Sequence, residues 1–139
     1  MNRTVVVTGL GIVSPLESGR GLETFWDKAL KGENKIKKVI SFNVEKYPAK
    51  LAAEIEGFGT QGECNNKWMQ IAKVAFNEAI NDASLIMDDG FGISIGTVLG
   101  GILLGEQHWR NSSDYKSIRL PTEYSLSNGV RWFIKNCSI

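Results

Sequence analysis

The sequence predicts an α/β domain in which helices pack on a sheet containing a parallel strand pair. Three observations carry this. Val5-Val6-Val7 is an unbroken β-branched run, the pattern of a strand buried on both faces rather than one with a wet side. Lys67 to Ser84 carries Trp68, Ile71, Ala72, Ala75, Ala79 and Ala83 as one stripe, widened by Phe76 and Ile80, which is helical spacing. Phe91 to Thr97 is a second apolar run, and strand, long helix, strand in that order predicts a right-handed crossover.

Taken in order, the opening stretch Thr4 to Leu16 reads TVVVTGLGIVSPL. Gly9 and Gly11 stop the valine run, where they allow a tight turn or a close backbone approach, and Ser14-Pro15 ends the unit. Glu17 to Arg20 reads as a polar loop. Leu22, Phe25, Trp26, Ala29 and Leu30 then fall on one helical face, with Glu23 and Asp27 early, Lys28 and Lys31 late, and Gly32 placed as the stop. Ile36 to Phe42 is a short strand or an irregular crossing. Asn43 to Pro48 is a turn, because Pro48 holds Tyr47 extended. Leu51 to Ile55 is a second short strand candidate, and Phe58 to Asn66 is a loop.

Asn66 is the expected N-cap of the long helix, whose alanines predict close approach to a flat partner, the sheet. Asp88-Asp89-Gly90 is a turn. Gly96-Thr97-Val98-Leu99-Gly100-Gly101 is a second glycine-rich exit, followed by a helical stretch over Leu103 to Arg110. Asn111 to Lys116 is loop-like. A helix over Thr122 to Lys135 follows Pro121, with Gly129 as its weak point.

A chain of 139 residues bounds this to one domain with room for a core. Hydrophobic residues make up 42% and charged residues 22%, which excludes a disordered chain. Sixteen basic residues oppose fifteen acidic ones, so charge offers no reason to expect nucleic acid or an anionic membrane. The densest basic run, Lys35 to Lys38, reads as a solvated face. Cys64 and Cys137 make neither a disulfide framework nor a zinc spacing, so a reduced, cytoplasmic setting is expected, with no metal and no cofactor. Arg3 precedes an apolar run, but Thr8, Gly9 and Gly11 interrupt it and no small-x-small cleavage site follows, so no signal peptide is expected. No segment reaches the apolar length of a membrane span.

Two glycine-rich strand exits invite a nucleotide-binding reading. The third glycine of a dinucleotide fingerprint would fall at Ser14, and Gly101 precedes Ile102 rather than Lys-Ser/Thr, so both fingerprints are incomplete. Titration with NAD or ATP tests that reading. His108, the only histidine, sits beside Trp109 on a helical stretch, and no nucleophile can be tied to it by spacing. Cys64 has no basic neighbour closer than Lys67 to lower its pKa, and Cys137 reads as a bystander thiol. The patterns alone yield an α/β domain without an assembled active site.

Five stretches in order resemble the condensing enzymes of the thiolase-like superfamily, the β-ketoacyl-acyl-carrier-protein synthases. They are Thr4–Leu16; Phe25-Trp26 with Leu30 and Gly32; Ser41 to Pro48 followed by Ala52-Ala53-Glu54-Ile55; Gln70-Ile71-Ala72 through Ala79 and Asp82-Ala83; and Gly92 to Thr97 with Gly100-Gly101. The resemblance covers Thr4 to about Gly105 and is weak beyond it, with Leu120-Pro121 the best anchor. It implies the N-terminal portion of a thiolase-like fold, with a mixed, mainly parallel sheet and helices on its faces, spanning residues 1–139. It implies decarboxylative condensation of malonyl thioesters in fatty-acid or polyketide synthesis, by way of a cysteine nucleophile and two histidines (or a histidine and an asparagine). Acyl carrier protein or acyl-coenzyme A thioesters are the implied partners, together with a homodimer or a heterodimer with a synthase subunit.

The family's Thr-Ala-Cys segment is absent from Met1–Ile139. Cys137 lacks the preceding Thr-Ala and arrives too early, and His108 matches neither family histidine. The resemblance therefore places no catalytic residue here and expects the chain to stop ahead of the nucleophile. Leu99 aligns with a position that lines the family's acyl pocket. Val98 stands where the family has a glycine, a departure at that pocket.

Overall fold

The computed structural model describes residues 3–17, 21–58, 66–86, 91–98 and 100–111. Its elements run α1 (Leu22–Leu30), β1 (Lys37–Lys38), β2 (Leu51–Ala52), α2 (Lys67–Asp82) and α3 (Ile102–Asn111). The described residues fall into two compact units. The first lies within Met1–Phe58 and Val74–Leu85, the second within Gly59–Lys73 and Ile86–Ile139.

In the first unit α1 occupies the predicted span. Glu23 sits in its first turn and Lys28 in its last, each favourable to the helix dipole. The predicted stop is real. Gly32 takes φ 67°, and the amides of Gly32 and Glu33 donate to the carbonyls of Ala29 and Lys28 at 3.0 Å each. This is a Schellman ending with glycine in the left-handed position that suits it. α2 ends in the same way. Ser84 and Leu85 donate to Asn81 and Ile80 at 3.0 and 3.1 Å, but here Ser84 is held at φ 51°.

The two short strand candidates pair antiparallel, Lys37 opposite Ala52 and Lys38 opposite Leu51. Val39 extends the ladder by donating to the Lys50 carbonyl at 3.0 Å. The Glu54 carboxylate accepts the Ile40 amide at 2.8 Å and the Ser41 amide at 3.3 Å, so a side chain continues the pairing where the backbone ladder stops. Between the strands Tyr47 donates to the Val44 carbonyl at 3.0 Å, closing the predicted turn over a buried Val44. Phe42 meets Tyr47 edge-on at 5.9 Å.

The valine run departs from expectation. Val5, Val6 and Val7 are 93%, 68% and 79% exposed, and no strand forms over them. A strand buried on both faces needs ladder partners at its edges and helices over its faces. Among the described residues none pairs with this run; it is anchored further along, at Gly9 to Ile12. The predicted parallel pair is likewise missing among the described residues, where the only ladder is the antiparallel one.

In the second unit Asn66 stands at the N-cap of α2 as predicted. It is buried, and its carbonyl accepts the Gln70 amide at 3.2 Å. Met69 is the buried apolar residue of the first turns. Phe91, Ile93 and Ile95 are half-buried while Gly92, Ser94 and Gly96 are exposed. That alternation is the period of an extended segment with one covered face, although no ladder defines it as a strand. The turn at Asp88-Asp89-Gly90, the loop at Asn111 to Lys116 and the helix at Thr122 to Lys135 fall outside the described residues, apart from Asn111 itself, which ends α3. Among the described residues no helix is long and apolar enough to cross a membrane.

Candidate functional site

The first glycine-rich exit is a packing joint. A Cβ on Gly11 would overlap the Ala75 carbonyl oxygen and lie 2.8 Å from the Ala79 nitrogen. A Cβ on Gly9 would overlap the Ala79 carbonyl oxygen and lie 2.8 Å from the Ala83 Cβ. Real Cβ atoms do not come this close, so only glycine lets the two backbones meet. The alanine stripe does find a flat partner, as its composition predicts, but that partner is this glycine segment. Close approach to α2 accounts for both glycines of this exit.

Two carboxylates complete the joint. Glu78 Oε2 accepts the Ile12 amide at 2.6 Å and Asp82 Oδ2 accepts the Leu10 amide at 2.9 Å. Asp82 belongs to a stretch that carries the family resemblance, but neither acid is marked in the sequence as a backbone acceptor. The signal was their four-residue spacing next to the alanine stripe.

The chain then turns back at Ser14-Pro15-Leu16-Glu17. Glu17 N–H donates to the Ser14 carbonyl at 3.1 Å, and Ser14 N–H donates to the Glu17 carbonyl at 2.7 Å. Pro15 occupies the second turn position, where its fixed φ fits. Sequence reading placed Glu17 in a polar loop, but it is only 3% exposed. Burial is tolerated because Lys28 reaches it from α1. Lys28 Nζ lies 2.8 Å from Glu17 Oε2 and donates to the Leu16 carbonyl at 3.0 Å. A buried carboxylate needs such a partner.

Beside this clasp is a cleft of about 460 Å³, lined by Leu16, Glu17, Lys28, Asn34, Lys37 and Glu54 among others. Its charges have nearby partners: Lys28 pairs with Glu17, Lys35 with Glu33 at 3.7 Å, Lys37 with Glu56, and Glu54 accepts two backbone amides. The cleft is a braced joint and offers no convergent charge to a substrate.

The second exit lies in the other unit. Gly100 takes φ 48°, and its amide donates to the Thr97 hydroxyl at 3.0 Å, forming the turn that leads into α3. Val98 is exposed. Leu99, the predicted pocket residue, lies outside the described residues, as do Cys64 and Cys137. His108 falls within α3, and its side chain is outside the described set. The described residues thus bring together no nucleophile and base, and among them no three potential metal ligands cluster.

A glycine-mediated joint between an extended segment and α2, a braced first helix and a second glycine exit opening a helix are scaffold features. Residues 2–130 match the family described as "Beta-ketoacyl synthase, N-terminal domain", and the chain belongs to that family, which carries the thiolase-like α/β fold. Over 112 residues it is 36% identical to the protein named 3-oxoacyl-[acyl-carrier-protein] synthase 2 from Staphylococcus aureus (strain N315), covering 73% of this chain and 27% of that one. Over 70 residues it is 47% identical to the protein of the same name from Rhizobium meliloti (strain 1021), covering 49% of this chain and 16% of that one. The chain spans about a quarter of the length of the Staphylococcus relative it matches. The family assignment rests on residue pattern along the chain, and it stands although the valine run is exposed.

Proposed function

We propose that residues 1–139 are the N-terminal scaffold of a β-ketoacyl-acyl-carrier-protein synthase, in a cytoplasmic setting, serving fatty-acid or polyketide synthesis. The observation that supports this best is the Gly9–Gly11 joint on Ala75, Ala79 and Ala83, within a chain that matches the family from residue 2 to residue 130. The complete enzyme transfers an acyl group from a carrier protein or coenzyme A to a cysteine thiolate, releasing the carrier thiol. Decarboxylation of a malonyl thioester then yields carbon dioxide and an enolate. The enolate attacks the enzyme thioester, forming the carbon–carbon bond and expelling the thiolate. Donors to the thioester oxyanion and to the enolate lower both barriers.

This chain's share is to position the surrounding fold: a mixed, mainly parallel sheet with helices on its faces in the complete domain, and Leu99 as one wall of the acyl pocket. The nucleophile and its assisting histidines are assigned to a segment not contained in Met1–Ile139. The 139-residue chain by itself therefore carries out no condensation from malonyl-carrier protein. Product formation that Cys137→Ala abolishes would overturn this. The DNA after codon 139 offers a direct check: a frame encoding a Thr-Ala-Cys segment and two later histidines supports the reading.

A second reading is favoured by the exposed Val5, Val6, Val7, Trp26 and Leu30, apolar surface that a neighbouring protein would cover. In it the chain is a non-catalytic subunit paired with a complete synthase, as a heterodimer rather than a homodimer. Co-purification with a full-length synthase supports it, and a monodisperse monomer in the presence of that synthase counts against it.

A further inference from the structure

Two independent repeats coincide at the first joint. Along α2, Glu78 and Asp82 are one turn apart, an axial rise of about 6.0 Å. Along an extended chain, amides two residues apart point the same way and are separated by about 6.6 Å. The near match lets one helix face present two carboxylates to the Leu10 and Ile12 amides at once. The glycines share the two-residue repeat, as Gly9 and Gly11 meet the backbone at Ala79 and Ala75. A slip of two residues in one direction would bring Val7 against the helix backbone, and in the other Val13. Either side chain is larger than the Cβ that already fails to fit.

We infer that Glu78 and Asp82 form a two-pronged register clamp, by which α2 reads the Leu10 and Ile12 amides and closes that hydrogen-bonding edge of the extended N-terminal segment beyond Gly9. The carboxylates occupy the donors that a neighbouring strand would otherwise use, so a strand pairing with the valine run cannot continue along that edge past Gly9. Side chains on a helix thus do the work of a sheet edge, and a helix-covered edge is closed to further pairing. The clamp is independent of the enzymatic reading, since it concerns only contacts within the first unit.

Residue-resolved amide hydrogen exchange on the full 139-residue chain tests it. Each prong has its own amide, so the expected pattern is crossed. Glu78→Ala speeds exchange at Ile12 by roughly tenfold or more, the loss of one charge-assisted hydrogen bond, and leaves Leu10 within about threefold. Asp82→Ala does the reverse. Glu78→Gln, which keeps an acceptor oxygen and the side-chain volume, falls between wild type and Glu78→Ala at Ile12 and serves if the alanine variant does not fold. A general loosening of the fold would speed both amides equally in either variant, and that result overturns the clamp. So does unchanged exchange at both positions in both variants.

Discussion

Gly11→Ala isolates the close approach between the N-terminal segment and α2. Gly11 is not among the glycines with positive φ, so alanine there meets no backbone penalty. Taken alone, the substitution should stabilise the protein by about 0.4–1 kcal/mol by restricting the unfolded chain. Against this, the new Cβ overlaps the Ala75 carbonyl oxygen and sits 2.8 Å from both the Ala75 carbonyl carbon and the Ala79 nitrogen. These are backbone atoms inside a helix and cannot rotate away, so the segment must lift off α2. Overpacking of this kind costs about 1–3 kcal/mol. Lifting also stretches the 2.6 Å bond from the Ile12 amide to Glu78, a hydrogen bond to a charged group whose loss costs about 1.5–3 kcal/mol. Overpacking and bond loss overlap, and the net expectation is a destabilisation of about 3 kcal/mol. Gly96→Ala is the control, because a Cβ there meets nothing within 4 Å. Thermal unfolding followed by circular dichroism is the assay. At this chain length the expected drop in Tm is roughly 10 °C for Gly11→Ala, with no drop for Gly96→Ala. Equal Tm values for the two variants would refute the claim that the glycine exists to let the backbones touch.

The paired helix endings give opposite effects in the same assay. Gly32→Ala, at φ 67°, should cost about 1 kcal/mol, whereas Ser84→Gly, at φ 51°, should gain about 1 kcal/mol. A loss of stability in Ser84→Gly would show that the serine contributes something other than a strained stop. Lys28→Met removes an ion-pair partner of a carboxylate that is 3% exposed, and chemical denaturation should show a loss of about 2 kcal/mol, moderated because the lysine side chain is 27% exposed.

Local rules carried much of the sequence reading. The span of α1, its glycine stop and the N-cap at Asn66 followed from periodicity and capping chemistry, which act over a few residues; the two short strands fall within stretches read as strand candidates, one of them left open as an irregular crossing. The resemblance to condensing enzymes came from spaced motifs such as TGLGIVSPL and Gly92 to Thr97, and the family match along residues 2–130 agrees with it. The valine run was misjudged for a physical reason. An unbroken β-branched stretch states what environment it suits, but it does not supply the neighbouring strands and covering helices that make that environment.

Periodicity and capping signals by themselves determined an α/β pattern and the positions of α1 and α2; the resemblance of five ordered stretches to β-ketoacyl synthases supplied the family and the observation that its Thr-Ala-Cys segment does not occur in Met1–Ile139. Only the tertiary structure decided what Gly9 and Gly11 are for, because a glycine permits a tight turn, a phosphate contact or a backbone contact equally well. The atoms that chose among these were the Ala75 and Ala79 carbonyls, 64 and more residues along the chain. The partners of Glu17, Glu78 and Asp82 were decided in the same way: a carboxylate's reach is local in space, and proximity in space is what a linear sequence does not display.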